Sequence, residues 1–265
     1  MSLPPDIDAE DRVALSVVIP AFNEERRLPQ TLLSVVEYLD ARAETYEVIV
    51  VDDGSRDTTA KLVRQFSRLS PRVRLLACPQ NHGKGFAVRL GIMNAVGERI
   101  LYEDADGASP IEELVRLEAE LQKGADIAIG SRAMVSAETA VRTIWLRKFM
   151  GRVFNFLVNV IVVPGIEDTQ CGFKLFTRDA ARFLFSRQQA EGFSFDVEII
   201  FLAQRAKLQI AEVPVNWTNI PGSKVNLVKD SILMLADVVR FRVRDLMGSY
   251  GVLTFPDELR SNCNK

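Results

Sequence analysis

The chain has 265 residues, of which 48% are hydrophobic and 26% charged, with 33 lysines and arginines against 35 aspartates and glutamates and a formal net charge of −2. Such a length permits one large core, and such a charge balance gives no general attraction to nucleic acid. Three cysteines at scattered positions, Cys78, Cys171 and Cys263, fit a reducing compartment and argue against a disulfide framework or a structural zinc site.

In chain order, Met1–Arg12 is acidic and polar and lacks the apolar run of a secretory signal. Leu15–Pro20 reads as a buried strand, Leu28–Ala41 as a helix and Glu47–Val51 as a second strand. Asp57 is placed to cap a helix over Thr58–Leu69, because its carboxylate can accept from free first-turn amides. Val73–Ala77 is a third strand, followed by Gly83-Lys84-Gly85 and a helix through Val96. Arg99–Glu103, a helix over Ile111–Lys123, and Asp126–Gly130 complete the first half. Short apolar runs alternating with amphipathic stretches predict an α/β fold with a mostly parallel central sheet flanked by helices. Beyond Gly130 the pattern changes: Arg142–Val163 reads as mainly helical, Lys174–Thr177 as a strand, Phe195–Ala206 as a helix, Gln209–Val215 as a strand and Asn226–Met247 as a long helix. No window supplies the roughly 18–20 uncharged apolar residues of a spanning helix, since Arg152 and Asn155 interrupt Phe149–Ile166.

In a parallel sheet, ligands gather at the carboxyl ends of the strands. Those ends carry Pro20-Ala21-Phe22-Asn23-Glu24, Asp52-Asp53-Gly54-Ser55 and Asp104-Ala105-Asp106. Two carboxylates one residue apart suit a hard cation that leaves room for phosphate, although a solvated turn has the same composition. A carboxylate at Asp52 or Asp53 suits a ribose hydroxyl or a base N–H, or serves the backbone of a turn. The amides that open the helix at Gly83-Lys84-Gly85 suit an anion, with Lys84 as a point charge. A single histidine, His82, leaves no multi-histidine metal site and no histidine triad.

The segments Leu15–Glu24 and onward (LSVVIPAFNEE), Glu47–Ser55 (EVIVVDDGS), Asn81–Ala87 (NHGKGFA) and Asp104-Ala105-Asp106 resemble, in order and spacing, the family 2 glycosyltransferases of GT-A (nucleotide-diphospho-sugar transferase) fold. Gly130-Ser131-Arg132, Asp168–Phe176 (DTQCGFKLF), Phe195–Ile199 (FDVEI) and Val213–Lys224 (VPVNWTNIPGSK) extend the resemblance to polyprenyl-phosphate sugar transferases. Asp104–Ala108 together with Asn216-Trp217-Thr218 and Gly222-Ser223-Lys224 is most similar to dolichyl-phosphate glucosyltransferases. The resemblance implies that Pro20, Ala21, Phe22, Glu24 and Asp53 hold the nucleoside of a nucleotide-sugar donor. It places Asp104 at the ribose or diphosphate, Asp106 on Mg²⁺ or Mn²⁺, and Lys84 and Lys224 at the leaving diphosphate. Arg132 and Arg147 would hold the acceptor phosphate, Asp168 would lie near the reaction centre, and Gln170 and Lys174, in the same motif, would bind the acceptor. Asp196 and Glu198 read equally as helix carboxylates paired with neighbouring bases, and Phe193, Phe195 and Trp217 read as core.

The implied reaction moves glucose from UDP-glucose to a polyprenyl or dolichyl phosphate with inversion. A phosphate monoester has its second pKa at about 6 and arrives as an anion, so alignment and positive charge matter more than a base. A hydroxyl acceptor would instead need one, with Asp168 as the candidate, and GDP-mannose is the alternative donor. A nucleotidyltransferase would open on a glycine-rich loop, and a non-catalytic binding module would not need Asp104, Asp106 and Lys224 together. The expected organisation is a tail over 1–14, a donor half over 15–130, an acceptor half over 131–225, an amphipathic helix over 226–247 and a tail over 248–265. A lipid acceptor implies a peripheral protein on the cytosolic face of a membrane. Phe149–Val163 and Asn226–Met247 are the candidate docking segments, the latter through Ile232, Leu235, Val239 and Leu246 with Arg240, Arg242 and Arg244. Packing of both helices on the sheet is the competing reading. Nothing in the sequence sets an oligomeric state.

Overall fold

The computed structural model describes residues 13–134, 136, 138–142, 158–159, 161–221, 227–251 and 253–256. A seven-stranded sheet runs through it in the order β3-β2-β1-β4-β7-β5-β8. The strands are β1 (Val13–Ala21), β2 (Tyr46–Asp52), β3 (Val73–Ala77), β4 (Gly97–Glu103), β5 (Ile127–Ser131), β7 (Phe173–Thr177) and β8 (Ile210–Pro214), while β6 (Val141–Arg142) pairs separately with β9 (Trp217–Thr218). The helices are α1 (Leu28–Asp40), α2 (Thr59–Leu69), α3 (Lys84–Asn94), α4 (Leu114–Gln122), α5 (Arg178–Arg187), α6 (Phe195–Arg205) and α7 (Leu227–Leu246). The mostly parallel sheet with helices on both faces is the GT-A architecture expected from the sequence.

Every β2 residue is buried, as a strand covered on both faces requires. One face, with Val18, Ile49, Tyr102 and Ile129, packs against α3, α5, α6 and the Met234, Val238 and Phe241 side of α7. The other, with Val17, Val48, Leu101 and Leu175, packs against α1, α4 and Val63 of α2. β7 alone runs against its neighbours, antiparallel to both β4 and β5. The pairing Glu103↔Phe173 therefore sets the residues before β7 beside the carboxyl end of β4. β5 runs with β8 in the register Ser131↔Pro214. Five stretches thus meet at one rim: those after β1, β2, β4 and β5, and the one before β7.

Some local expectations need correction. α5 is a helix that the sequence pattern above does not include, although Thr177 caps it by accepting from the Ala180 amide at 3.3 Å. α2 starts at Thr59; Asp57 still accepts from the Thr59 amide at 2.9 Å. α3 ends at Asn94, and Ala95 is already extended. Of the mainly helical stretch expected over Arg142–Val163, Arg142 lies in the strand Val141–Arg142, while Val158, Asn159 and Ile161 are helical. Residues 143–157, Arg147 included, lie outside the described residues, as does Lys224.

Candidate active site

The Asp104–Asp106 turn is built by its neighbours. The Asp104 amide donates to the Gly172 carbonyl at 3.0 Å and the Gly107 amide donates back to the Asp104 carbonyl at 3.2 Å. Gly107 takes a φ of +63°, which favours glycine. Thr31 of α1 donates its hydroxyl to the Ala105 carbonyl at 2.9 Å, buried between the two acids. Asp104 Oδ1 accepts from Lys84 Nζ at 2.8 Å and from the Tyr102 hydroxyl at 2.9 Å. Burial pushes the Asp104 carboxyl up, but Lys84 and the tyrosine hydroxyl override it and hold it below the ordinary value. Asp106 moves the other way, because burial and the Asp104 charge both raise it. Its Oδ1 accepts from the Ala108 amide at 3.2 Å, and its Oδ2 faces Arg27 at 3.4 Å.

These two carboxylates are the pair that could hold a cation. Among the described residues no group of three or more His, Cys, Asp and Glu side chains is set to hold a metal. A pair of carboxylates suits Mg²⁺ or Mn²⁺, which take remaining ligands from diphosphate oxygens and water, and it does not suit zinc's closed nitrogen and sulfur sets.

At the β1 end, Pro20 and Ala21 are buried in the strand and Phe22 is half-buried beyond it. Glu24 is buried and accepts from Arg27 at 2.7 Å and 2.5 Å. Asp53, expected at the nucleoside, accepts from the His82 amide at 2.9 Å and, at 2.8 Å each, from the Gly83 amide and Asn81 Nδ2. It thereby fixes the loop that delivers Lys84. Burial nonetheless raises its pKa, against the pull of the His82 and Gly83 amides.

On the far side of the rim Arg132 and Asp168 form a two-pronged pair, with Nε to Oδ2 at 2.6 Å and a terminal nitrogen to Oδ1 at 2.8 Å. The Arg132 and Gln170 amides also donate to Asp168, at 3.0 Å and 3.1 Å. Burial raises the Asp168 carboxyl, and Arg132 together with these amides more than reverses that, leaving it below the ordinary value. Trp217 lies 5.5 Å from the Arg132 guanidinium and Phe193 5.9 Å from Lys84 Nζ. Both rings are half-buried beside cations: Phe193 packs against the edge of the core, Trp217 stands outside it, and Phe195 is core. Gln170 is half-buried and donates to Met234 of α7 at 2.9 Å. Lys174, expected at the acceptor, needs correction too. It is only 2% exposed, its ammonium pairing with Asp196 and donating to the Cys171 carbonyl at 2.7 Å. On β7 it points into the sheet's covered face, below the rim.

Sequence reasoning missed Arg27, which spans Glu24 and Asp106, and Tyr102, whose hydroxyl anchors Asp104. Only the fold brings Arg27 to Asp106, whereas Tyr102 stands two residues before Asp104, on the same side of the strand end. Gly172 lies within a recognised motif but carries no role in the sequence pattern. A Cβ on it would stand 2.0 Å from Asp104 Oδ2.

The chain matches the model of Glycosyl transferase family 2 over residues 16–185. It is 42% identical over 254 residues to the dolichyl-phosphate beta-glucosyltransferase of Dictyostelium discoideum, covering 91% of this chain and 78% of that one. Against the dolichyl-phosphate beta-glucosyltransferase of Homo sapiens the identity is 43% over 249 residues, covering 89% and 77%. Among solved structures, glucosyl-3-phosphoglycerate synthase from Mycobacterium tuberculosis in complex with uridine-diphosphate superposes with a TM-score of 0.61 at 19% identity, covering 85% of this chain and 80% of that one. The last likeness is one of fold.

Proposed function

The chain belongs to glycosyl transferase family 2, and from that premise we propose that it transfers glucose from UDP-glucose to a dolichyl or polyprenyl phosphate with inversion at the anomeric carbon. The observation that carries this is the engagement of the rim's candidate base. Lys84, Arg27 and Arg132 stand around the rim, whereas Asp168, the acid in position to act as a base, is engaged by Arg132 and two amides. A carboxylate held below its ordinary pKa is a weak proton acceptor. A phosphate monoester needs no such help, since it arrives ionised. Arg132 would turn its guanidinium to the acceptor phosphate while Asp168 keeps it in register, with Gln170 alongside.

Asp106, with Asp104, would hold Mg²⁺ or Mn²⁺, and the cation would supply charge neutralisation for the departing diphosphate. Lys84 stands where it can follow that charge, and Lys224 and Arg147 are proposed for the diphosphate and the acceptor. Phe22, Glu24 and the loop fixed by Asp53 would receive the nucleoside. Residues 15–130 and 131–225 would serve as donor and acceptor halves.

A lipid acceptor requires access to a bilayer. Among the described residues no helix is long and apolar enough to cross a membrane. α7 offers a surface: it buries Met234, Val238 and Phe241 but leaves Val239, Val243 and Leu246 exposed at helical spacing, with Met247 exposed just beyond. We place that face on the cytosolic surface of a membrane.

The test is incubation with radiolabelled UDP-glucose, polyprenyl phosphate and Mg²⁺, followed by lipid extraction, with GDP-mannose in parallel. Glucose should enter the lipid phase, EDTA should stop it, and Asp106→Asn should lose nearly all transfer with its thermal transition in place. Label confined to water-soluble product would overturn the lipid acceptor, and full activity of Asp106→Asn would overturn the metal assignment.

A further inference from the structure

Lys84 stands at the first turn of α3, and that turn leans on a wall. A Cβ at Gly83 would stand 2.5 Å from the Glu191 carbonyl oxygen, and one at Gly85 would stand 2.6 Å from that of Ala190. The Phe86 amide donates to the Glu191 carbonyl at 3.1 Å. Gln188 Nε2 donates to the Gly85 carbonyl at 2.9 Å and to the Ala190 carbonyl at 2.6 Å. The segment Gln188–Glu191 therefore fixes the height and tilt of the α3 entrance. It is not part of a helix or strand, so something else must hold it.

That holder is Glu198 of α6, a carboxylate with no exposure to solvent. Its Oε2 accepts from the Gln189 amide at 3.0 Å and from the Ala190 amide at 2.7 Å, and its Oε1 accepts from the Tyr250 hydroxyl at 2.7 Å. A buried carboxylate on two backbone amides makes charge-assisted bonds that are shorter and stronger than neutral ones. It is too far inside the protein to meet a substrate, so any effect on the reaction passes through the segment it grips.

We infer that Glu198 is a positioning residue for the donor diphosphate: by holding the Gln189 and Ala190 amides it fixes the wall against which Gly83–Phe86 packs, and so sets where Lys84 meets the phosphates. The inference deepens the proposed function and rests on its placing of Lys84 at the diphosphate. Tyr250 shares the carboxylate but uses its other oxygen, so the grip on the wall and the contact to the segment after α7 can be separated.

Three variants and two readouts decide it. Hydrogen exchange over residues 83–90 reports the α3 entrance without any substrate. In Glu198→Ala it should quicken about tenfold at the Phe86 amide, the scale expected for losing a charge-assisted bond, and Glu198→Gln should fall between that and wild type. The kcat/KM for UDP-glucose should fall by a similar factor in Glu198→Ala, with the KM for polyprenyl phosphate within about twofold of wild type. Tyr250→Phe should leave both readouts close to wild type. A wild-type chain that transfers no glucose defeats the reading of Lys84, and the exchange data then decide alone whether Glu198 sets the α3 entrance. Unchanged exchange at 83–90 in folded Glu198→Ala, or an equal effect of Tyr250→Phe, would overturn the proposal.

Discussion

Gly172 shows how little room the site leaves one residue. Its carbonyl takes the Asp104 amide, and its bare Cα lies against the Asp104 carboxylate, where a methyl group would overlap Oδ2. In Gly172→Ala the carboxylate must turn away, breaking its contacts with Lys84 and Tyr102. We expect transfer to fall at least tenfold and stability to drop by about 1–3 kcal/mol, as overpacking does; activity and a denaturant titration measure the two. Asp168 gives a prediction in pH. Its folded pKa lies below the unfolded value of about 3.9, so its contribution to stability is present above that value and is lost as pH falls through the folded one. Acidifying from about pH 4 to about pH 2 should therefore destabilise wild type more steeply than Asp168→Asn, and parallel slopes would contradict the pairing with Arg132. The acids themselves are legible in the sequence as an Asp-x-Asp pair after an apolar run, and it is their place at a strand's carboxyl end that sets them apart from a solvated turn. Gly172 is not, because its role arises from β7 lying beside β4, a contact between distant stretches of the chain that no local pattern reports.

Among the elements, α7 has two unlike sides. One side buries Met234, Val238 and Phe241 in the core, as packing on the sheet requires, and the other leaves Val239 and Val243 about half exposed, where the proposed docking surface would lie. Arg242 donates to the Ile161 carbonyl at 3.1 Å and Arg240 pairs with Asp237, so the exposed apolar face is a cleaner target for substitution than these arginines. Val239→Asp with Val243→Asp should abolish flotation with anionic liposomes while leaving the thermal transition within a few degrees of wild type. Wild type that stays out of the lipid fraction at low salt would dismiss this face as a docking surface. Two elements escape the sequence pattern, for different reasons. α5 carries Ala180, Ala181, Leu184 and Phe185 at helical spacing behind a capping threonine, so a local signal exists but is short and follows directly on a strand. The direction of β7 leaves no trace in a five-residue apolar run, since strand polarity is set by the connections and not by the pattern.

For the molecule as a whole, the two proposed halves share one sheet. β4 from the first half and β5 at its end both pair with β7 from the second, and β5 pairs with β8 as well. Heating or denaturant should therefore give one cooperative transition, the same by circular dichroism and by tryptophan fluorescence; two separated midpoints would show that the halves melt independently. The same topology has a cost during synthesis. β1 to β4 can pair as soon as they leave the ribosome, whereas β5 emerges before either of its partners. At about 5–20 residues per second, the stretch from Ser131 to Thr177 takes on the order of 2 to 9 s to be made. For that interval the apolar edge of Ile127–Ser131 and the open side of β4 face solvent unpaired, the kind of surface that invites association with other nascent chains. A trigger for chaperone engagement is thus written into the strand order, and slowing translation just after β5 would lengthen the exposure.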